Sequence, residues 1–175
     1  MTCMRHIAFL CLCFLFFASC GNDSFKIVKN PKPDAEGFLN KDLLQVSSVG
    51  YAPKDPRLSL QQRQTQSYHA ALIRSRMRVI DYLLSELQTD NAEKYQAVVT
   101  RVGGRLSFER YDTAYSPELA QGGQRADGYF ELFSIGGFVY TNTYTEDSGR
   151  CSMLYRVAKA NLIVHAKNGF GIGGD

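Results

Sequence analysis

Outside its apolar opening, the thiols and imidazoles of this chain are Cys20, Cys151, His69 and His165. Their spacing does not describe a metal site, since there is no His-x-x-x-His, no Cys-x-x-Cys and no tight carboxylate cluster. His69 stands between Tyr68 and Ala70, where a helix-surface or boundary role is more usual than that of a general base. No serine occupies a Gly-x-Ser-x-Gly elbow. Gly169-x-Gly171-x-Gly173 has no helix after it, so its N–H groups have no dipole behind them to hold a phosphate. The chemistry expected from these residues is therefore neither catalysis nor cofactor or metal binding, and attention falls on the one cysteine whose flanks are distinctive, Cys20.

Before Cys20 comes a single basic side chain, Arg5, then the uncharged run from Ile7 to Phe17, too short to span a bilayer as a stable helix. This is the pattern of a secretory signal over residues 1–19. Phe17-Ala18-Ser19-Cys20 resembles the lipobox of bacterial lipoproteins, with Phe17 where leucine is usual. That resemblance implies diacylation of the Cys20 thiol, cleavage between Ser19 and Cys20, and acylation of the new amino terminus. The alternatives are an ordinary secretory signal with a chance cysteine, or an uncleaved anchor. Gly21, not aspartate, follows the cysteine, which under the enteric sorting rule permits passage to the outer membrane.

The 175 residues suffice for one domain with a real core. The formal charge of +3 drops to about +2 once Arg5 leaves with the leader, and no basic run with interleaved aromatics suggests nucleic acid. With Cys3, Cys11 and Cys13 in the leader and Cys20 acylated, Cys151 is left without a disulfide partner. It is either a buried small hydrophobe or a free thiol, and its place in an expected strand favours burial.

Residues 20–41 are polar and carry Pro31 and Pro33, which favour an extended tether. A domain is expected over 42–166. Its first strand is Leu43–Tyr51, closed by the turn-forming Ala52-Pro53-Lys54-Asp55-Pro56. Ser59 and Gln62 form a capping box that opens a helix through Gln88. Its apolar stripe is Ala70, Ile73, Met77, Ile80, Leu84 and Leu87, flanked by Tyr68, Leu72 and Leu83. Arg63, Arg74, Arg76 and Arg78 make it the most basic stretch; a headgroup-binding surface is conceivable, but the solvated face of a helix is the expectation. Asp90 and Glu93 form a second box for a shorter helix ending at Gly103-Gly104, with a strand over Val98-Val99-Thr100 as the alternative. Leu106–Tyr115 reads as β, and Ser116–Gly128, with Pro117 and three glycines, as an exposed loop. Tyr129–Tyr144, a bulge or bend at Gly136-Gly137, the turn Glu146–Gly149 and the alternation of Cys151, Met153, Tyr155 and Val157 read as an antiparallel hairpin. Leu162-Ile163-Val164 would extend its last strand, and residues 167–175 would be a glycine-rich tail.

In this order the chain resembles a family of small bacterial envelope lipoproteins that includes dodecin-like surface antigens and flagellum-associated basal-disc proteins. The likeness covers Leu43 to Leu162. It rests on Val46-x-x-Val49-Gly50, on the helix Tyr68–Leu87 and on Ile135-Gly136-Gly137-Phe138-Val139. The element order itself predicts an α+β fold, a long amphipathic helix packed on a small antiparallel sheet. The resemblance implies a non-enzymatic, lipid-anchored protein assembling with itself or with envelope partners, through strand edges or helix faces. A second reading is an anchored periplasmic or surface module for a small apolar or saccharide ligand, walled by Tyr129, Phe130, Phe133, Phe138, Tyr140 and Tyr144. Strand aromatics are more often core, because they fall on both faces of a sheet.

Overall fold

The computed structural model describes Val28, Lys32 and residues 34–87 and 114–171. Among these the fold is α+β, with one four-stranded antiparallel sheet and three helices. The elements are β1 (Gly37–Asn40), β2 (Leu43–Tyr51), α1 (Leu60–Leu87), α2 (Pro117–Leu132), β3 (Gly137–Thr145), β4 (Arg150–Ala158) and α3 (Leu162–Phe170). The spatial order is β1-β2-β4-β3, every pair antiparallel. Strand β2 and the last hairpin thus meet at the centre, with Leu44 opposite Val157 and Gly50 opposite Cys151.

Alternation decides which face of the sheet is covered. Leu44, Val46, Ser48 and Gly50 of β2 and Cys151, Met153, Tyr155 and Val157 of β4 are buried beneath the helices. Helix α1 starts where its cap dictates: the Ser59 N–H donates to Gln62 Oε1 at 2.8 Å and the Gln62 N–H to Ser59 Oγ at 3.2 Å. Ala70, Met77, Ile80, Leu83 and Leu84 are buried along it. Val79 and Ser75, outside the expected stripe, are buried too, because α1 is packed on two sides. One side meets the sheet, where Ser48 Oγ lies 2.7 Å from Ser75 Oγ and donates to the Ala71 carbonyl at 2.8 Å. The other side meets α2, where Ile73 lies against Gly123.

Helix α2 corrects the expected loop. Ser116 accepts the Leu119 N–H, Pro117 sits in the first turn and Glu118 favours the positive end of the dipole. Its glycines do not end it: Gly122 and Gly123 are buried, and Gly123 lets α2 approach Ile73 of α1. Packing here outweighs a local cost of about 1 kcal/mol per glycine. Tyr129–Leu132 close this helix and do not open the hairpin, so β3 begins at Gly137. The irregularity of β3 falls between Val139 and Thr141, where Tyr140 is the extra residue, and not at Gly136-Gly137. The turn Glu146–Gly149 forms as expected, with Gly149 at φ 60 and its N–H on the Glu146 carbonyl at 3.1 Å.

Two further boundaries differ from the expectation. Gly37–Asn40, placed in the tether, is a sheet strand: Phe38 is fully buried with its ring edge-on to Tyr82, and the Val28 N–H bonds the Phe38 carbonyl at 2.8 Å. Leu162–Phe170, read as strand end and tail, is helical. Asn161 turns the chain at φ 53 with its N–H on Asp42 Oδ1 at 2.7 Å, so Leu162, Ile163 and Ala166 face the core and Gly169 abuts Phe133. Of the expected strand Leu106–Tyr115, Ala114 makes a parallel bridge to Tyr51. Residues 106–113, the element expected within 90–104, the leader and the first part of the tether lie outside the described residues.

Candidate functional site

Ser19 and Cys20 lie outside the described residues. Of the other chemistry-bearing groups, His69 is exposed on α1 against the Tyr68 ring, His165 is half-buried on α3, and Cys151 is buried on β4. Burial pushes the Cys151 thiol above its ordinary value, which keeps it protonated and a poor nucleophile. Among the described residues no group of three or more His, Cys, Asp or Glu is placed to hold a metal ion, and no helix is long and apolar enough to cross a membrane.

Two of the four arginines of α1, Arg76 and Arg78, join elements and do not simply lie on a solvated face. Arg78 pairs with Glu36, whose other carboxylate oxygen accepts from the Ser47 N–H and hydroxyl, tying helix to sheet edge. Arg76 pairs with Asp127 of α2 at 2.6 Å. Burial opposes the charge on Arg76, yet the Tyr155 hydroxyl and Asp127 together raise its pKa above the usual arginine value. On the open face of the sheet, Arg156 Nε donates to Gln45 Oε1 at 2.8 Å, Gln45 Nε2 donates to the Ala35 carbonyl at 2.7 Å, and the Arg156 guanidinium lies 3.4 Å over the Tyr140 ring. That chain of contacts crosses β3, β4 and β2 and ends on Ala35, ahead of β1, and Gln45 is completely buried on a face that no described helix covers.

Comparison with family models, curated proteins and solved structures finds no match for this chain. The site must therefore be argued from geometry alone. The six aromatics expected to form one pocket wall are divided over three places. Tyr129, Phe130 and Phe133 belong to α2 and its end, with Phe130 and Phe133 in the core. Tyr144 points to the helix side, opposite Cys151. Only Phe138 and Tyr140, 49% and 50% exposed, share the open face. A cleft of about 370 Å³ lies beside the start of α1, lined by Lys54, Asp55, Arg63, Glu146 and Asp147 among others. Its charges are of both signs, and Arg57 holds the Asp55 carboxyl below the usual carboxylate range, so it selects no one class of ion.

What sequence reasoning did not place is the edge at β3, whose outer side pairs with no strand among the described residues. The signal was present: Gly137–Thr145, GFVYTNTYT, contains no charged residue and no proline.

A pH dependence follows from the buried phenols. Burial raises the Tyr155 pKa, only partly countered by Arg76, and burial likewise raises Tyr82 and Tyr129. In the unfolded chain these groups ionise near pH 10. Their stabilising contribution is complete below about pH 10 and is lost as pH rises beyond it, because the unfolded state then releases protons the fold retains. Urea midpoints should be flat from about pH 7 to 8, begin to fall as the unfolded Cys151 thiol ionises at about 8.5, and fall further above about 10; a midpoint that rises across that alkaline window would refute this assignment.

Proposed function

We propose that this chain is a lipid-anchored protein of the bacterial envelope whose folded domain has a non-catalytic, structural or assembly role. The observation that carries the reading is Phe17-Ala18-Ser19-Cys20 following a short apolar run with one basic residue. Cys20 would bear the acyl chains, Ser19-Cys20 would be the cleavage junction, and Gly21 favours the outer membrane, at its periplasmic face or the cell surface. Several acyl chains hold a protein firmly without help from its surface, so the fold is free to engage partners. The described domain is consistent with such use, since Arg76 and Arg78 are engaged in joining elements and Cys151 is buried. The partners are further copies of the chain or another envelope protein; a flagellum-associated assembly is the class that the family resemblance names.

The test is fractionation of cells producing the full chain. Cys20→Ala should move the protein from membrane to soluble fractions and remove the acyl mass. A variant that partitions to membranes as the parent does would defeat the proposal.

A further inference from the structure

The two edges of the sheet are treated differently. At the β1 edge, Val28 bonds Phe38, the Glu36 carboxylate takes the Ser47 N–H, and the Tyr115 N–H takes the Tyr51 carbonyl. At the other edge, β3 presents nine uncharged residues, and among the described residues no strand pairs with its outer side. Natural edges are blunted by charges, proline, covering elements or bulges. Among the described residues the only such device is the bulge between Val139 and Thr141, which leaves Thr141–Thr145 regular.

The hydrogen-bond phase of that segment can be traced across the sheet. Ser47 and Tyr51 direct their backbone groups away from β4, so Leu44, Val46, Ser48 and Gly50 bond β4 through Val157, Tyr155, Met153 and Cys151. Leu154, Ser152 and Arg150 then bond Thr141, Thr143 and Thr145. The backbone groups of Asn142 and Tyr144 are left facing outward.

We infer that β3 is a self-association edge, on which a second copy of this chain pairs its own β3 antiparallel about a two-fold axis at Thr143. This deepens the assembly reading and rests on it. In that register Asn142 of one copy exchanges both backbone hydrogen bonds with Tyr144 of the other, twice by symmetry. Thr143 faces Thr143, and Thr141 faces Thr145, the hydroxyl pairs favoured across strands. Charge selects the antiparallel sense. It brings the acidic turn Glu146-Asp147 of one copy beside the Tyr140–Arg156 end of the other, whereas a parallel pairing would set acidic turn against acidic turn. Arg150 lies opposite Thr145 on β4, one strand removed from the contact. Two four-stranded sheets become one continuous sheet, a closed isologous dimer. Anchoring both copies in one membrane would raise their effective concentration, so a short edge suffices.

The experiment uses the full chain purified from membranes in detergent. Thr143 is exposed, so its variants should keep the parent's melting midpoint. Thr143→Cys should oxidise to a disulfide-linked species of twice the chain mass. Thr141→Cys and Thr145→Cys alone should not, while the two together in one chain should. Thr143→Lys, which sets two ammonium groups face to face, should abolish the dimer seen by light scattering. An oligomer that neither crosslinks through residue 143 nor responds to Thr143→Lys would overturn this edge and leave assembly to another surface. A parent chain monomeric at every concentration, with no crosslink, would overturn this inference and with it self-assembly, leaving the assembly reading to a different envelope protein.

Discussion

Gly50→Ala is expected to lower the stability of the domain by about 3 kcal/mol or more, enough to unfold much of it at 37 °C. Gly50 lies on the covered face of β2, opposite Cys151, at the point where α1 crosses the strand. A Cβ built there would lie 2.8 Å from the carbonyl carbon of Ala70, and closer still to the Ala71 nitrogen and the Ser67 carbonyl oxygen. All three are helix backbone, so no side chain can rotate away. The helix would have to lift by roughly 1 Å to restore ordinary contact. Lifting pulls Ser75 and the Ala71 carbonyl from the buried Ser48 hydroxyl, which loses both partners. Gly136→Ala is the control, since nothing lies within 4 Å of its added methyl and it carries no positive φ. Urea denaturation followed by circular dichroism separates the two. A Gly50→Ala midpoint matching that of Gly136→Ala would show that α1 does not rest on β2 as described.

The parts of this fold that were readable in the sequence are those where local chemistry and burial agree. Ser59 and Gln62 cap a helix whatever packs on it, and the Cys151-Met153-Tyr155-Val157 alternation needs only one covered face. The misreadings fall where a distant contact decides. Gly122 and Gly123 lower helix propensity, and both are buried, Gly123 against Ile73 of α1, which no local pattern reveals. Leu162-Ile163-Val164 is apolar, two of its three residues are β-branched, and it adjoins a strand, but Asn161 and the Asp42 carboxylate turn the chain before it. Phe38 sits in a stretch of proline, glycine and charge whose composition conceals a strand; Tyr82, 44 residues on, provides its ring partner. Arg76 and Arg78 of α1 read as surface in the sequence because their partners Asp127 and Glu36 are remote along the chain. The β3 edge was legible as composition, but its being an edge follows from β4 choosing β2 as its other neighbour, which no local pattern specifies.

Met77→Asp should have the largest effect of any single change considered, abolishing the folded state at neutral pH. Met77 is fully buried on α1, in the same core as Ile80, Leu84, Met153 and Tyr155. A carboxylate there either remains charged in an apolar setting or takes up a proton and remains a polar group without a designed partner; together with the lost thioether volume the cost exceeds about 4 kcal/mol, against a typical total of 5–15. Desolvation raises the pKa of such a carboxyl above its unfolded value near 4, so the deficit is greatest at neutral pH. It should shrink as pH falls through that raised value, because the folded state then binds a proton the unfolded chain has yet to take up. Met77→Leu, close in volume and apolar, should cost less than about 1.5 kcal/mol and keep a cooperative melt. The pair distinguishes a core position from a merely helical one, since both substitutions are compatible with an exposed helix. A Met77→Asp protein melting like the parent would place this face of α1 in solvent and remove the two-sided packing that joins the sheet to α2; with α1 so displaced, the β3 edge would no longer belong to a rigid platform and its pairing would lose the register derived from Thr143.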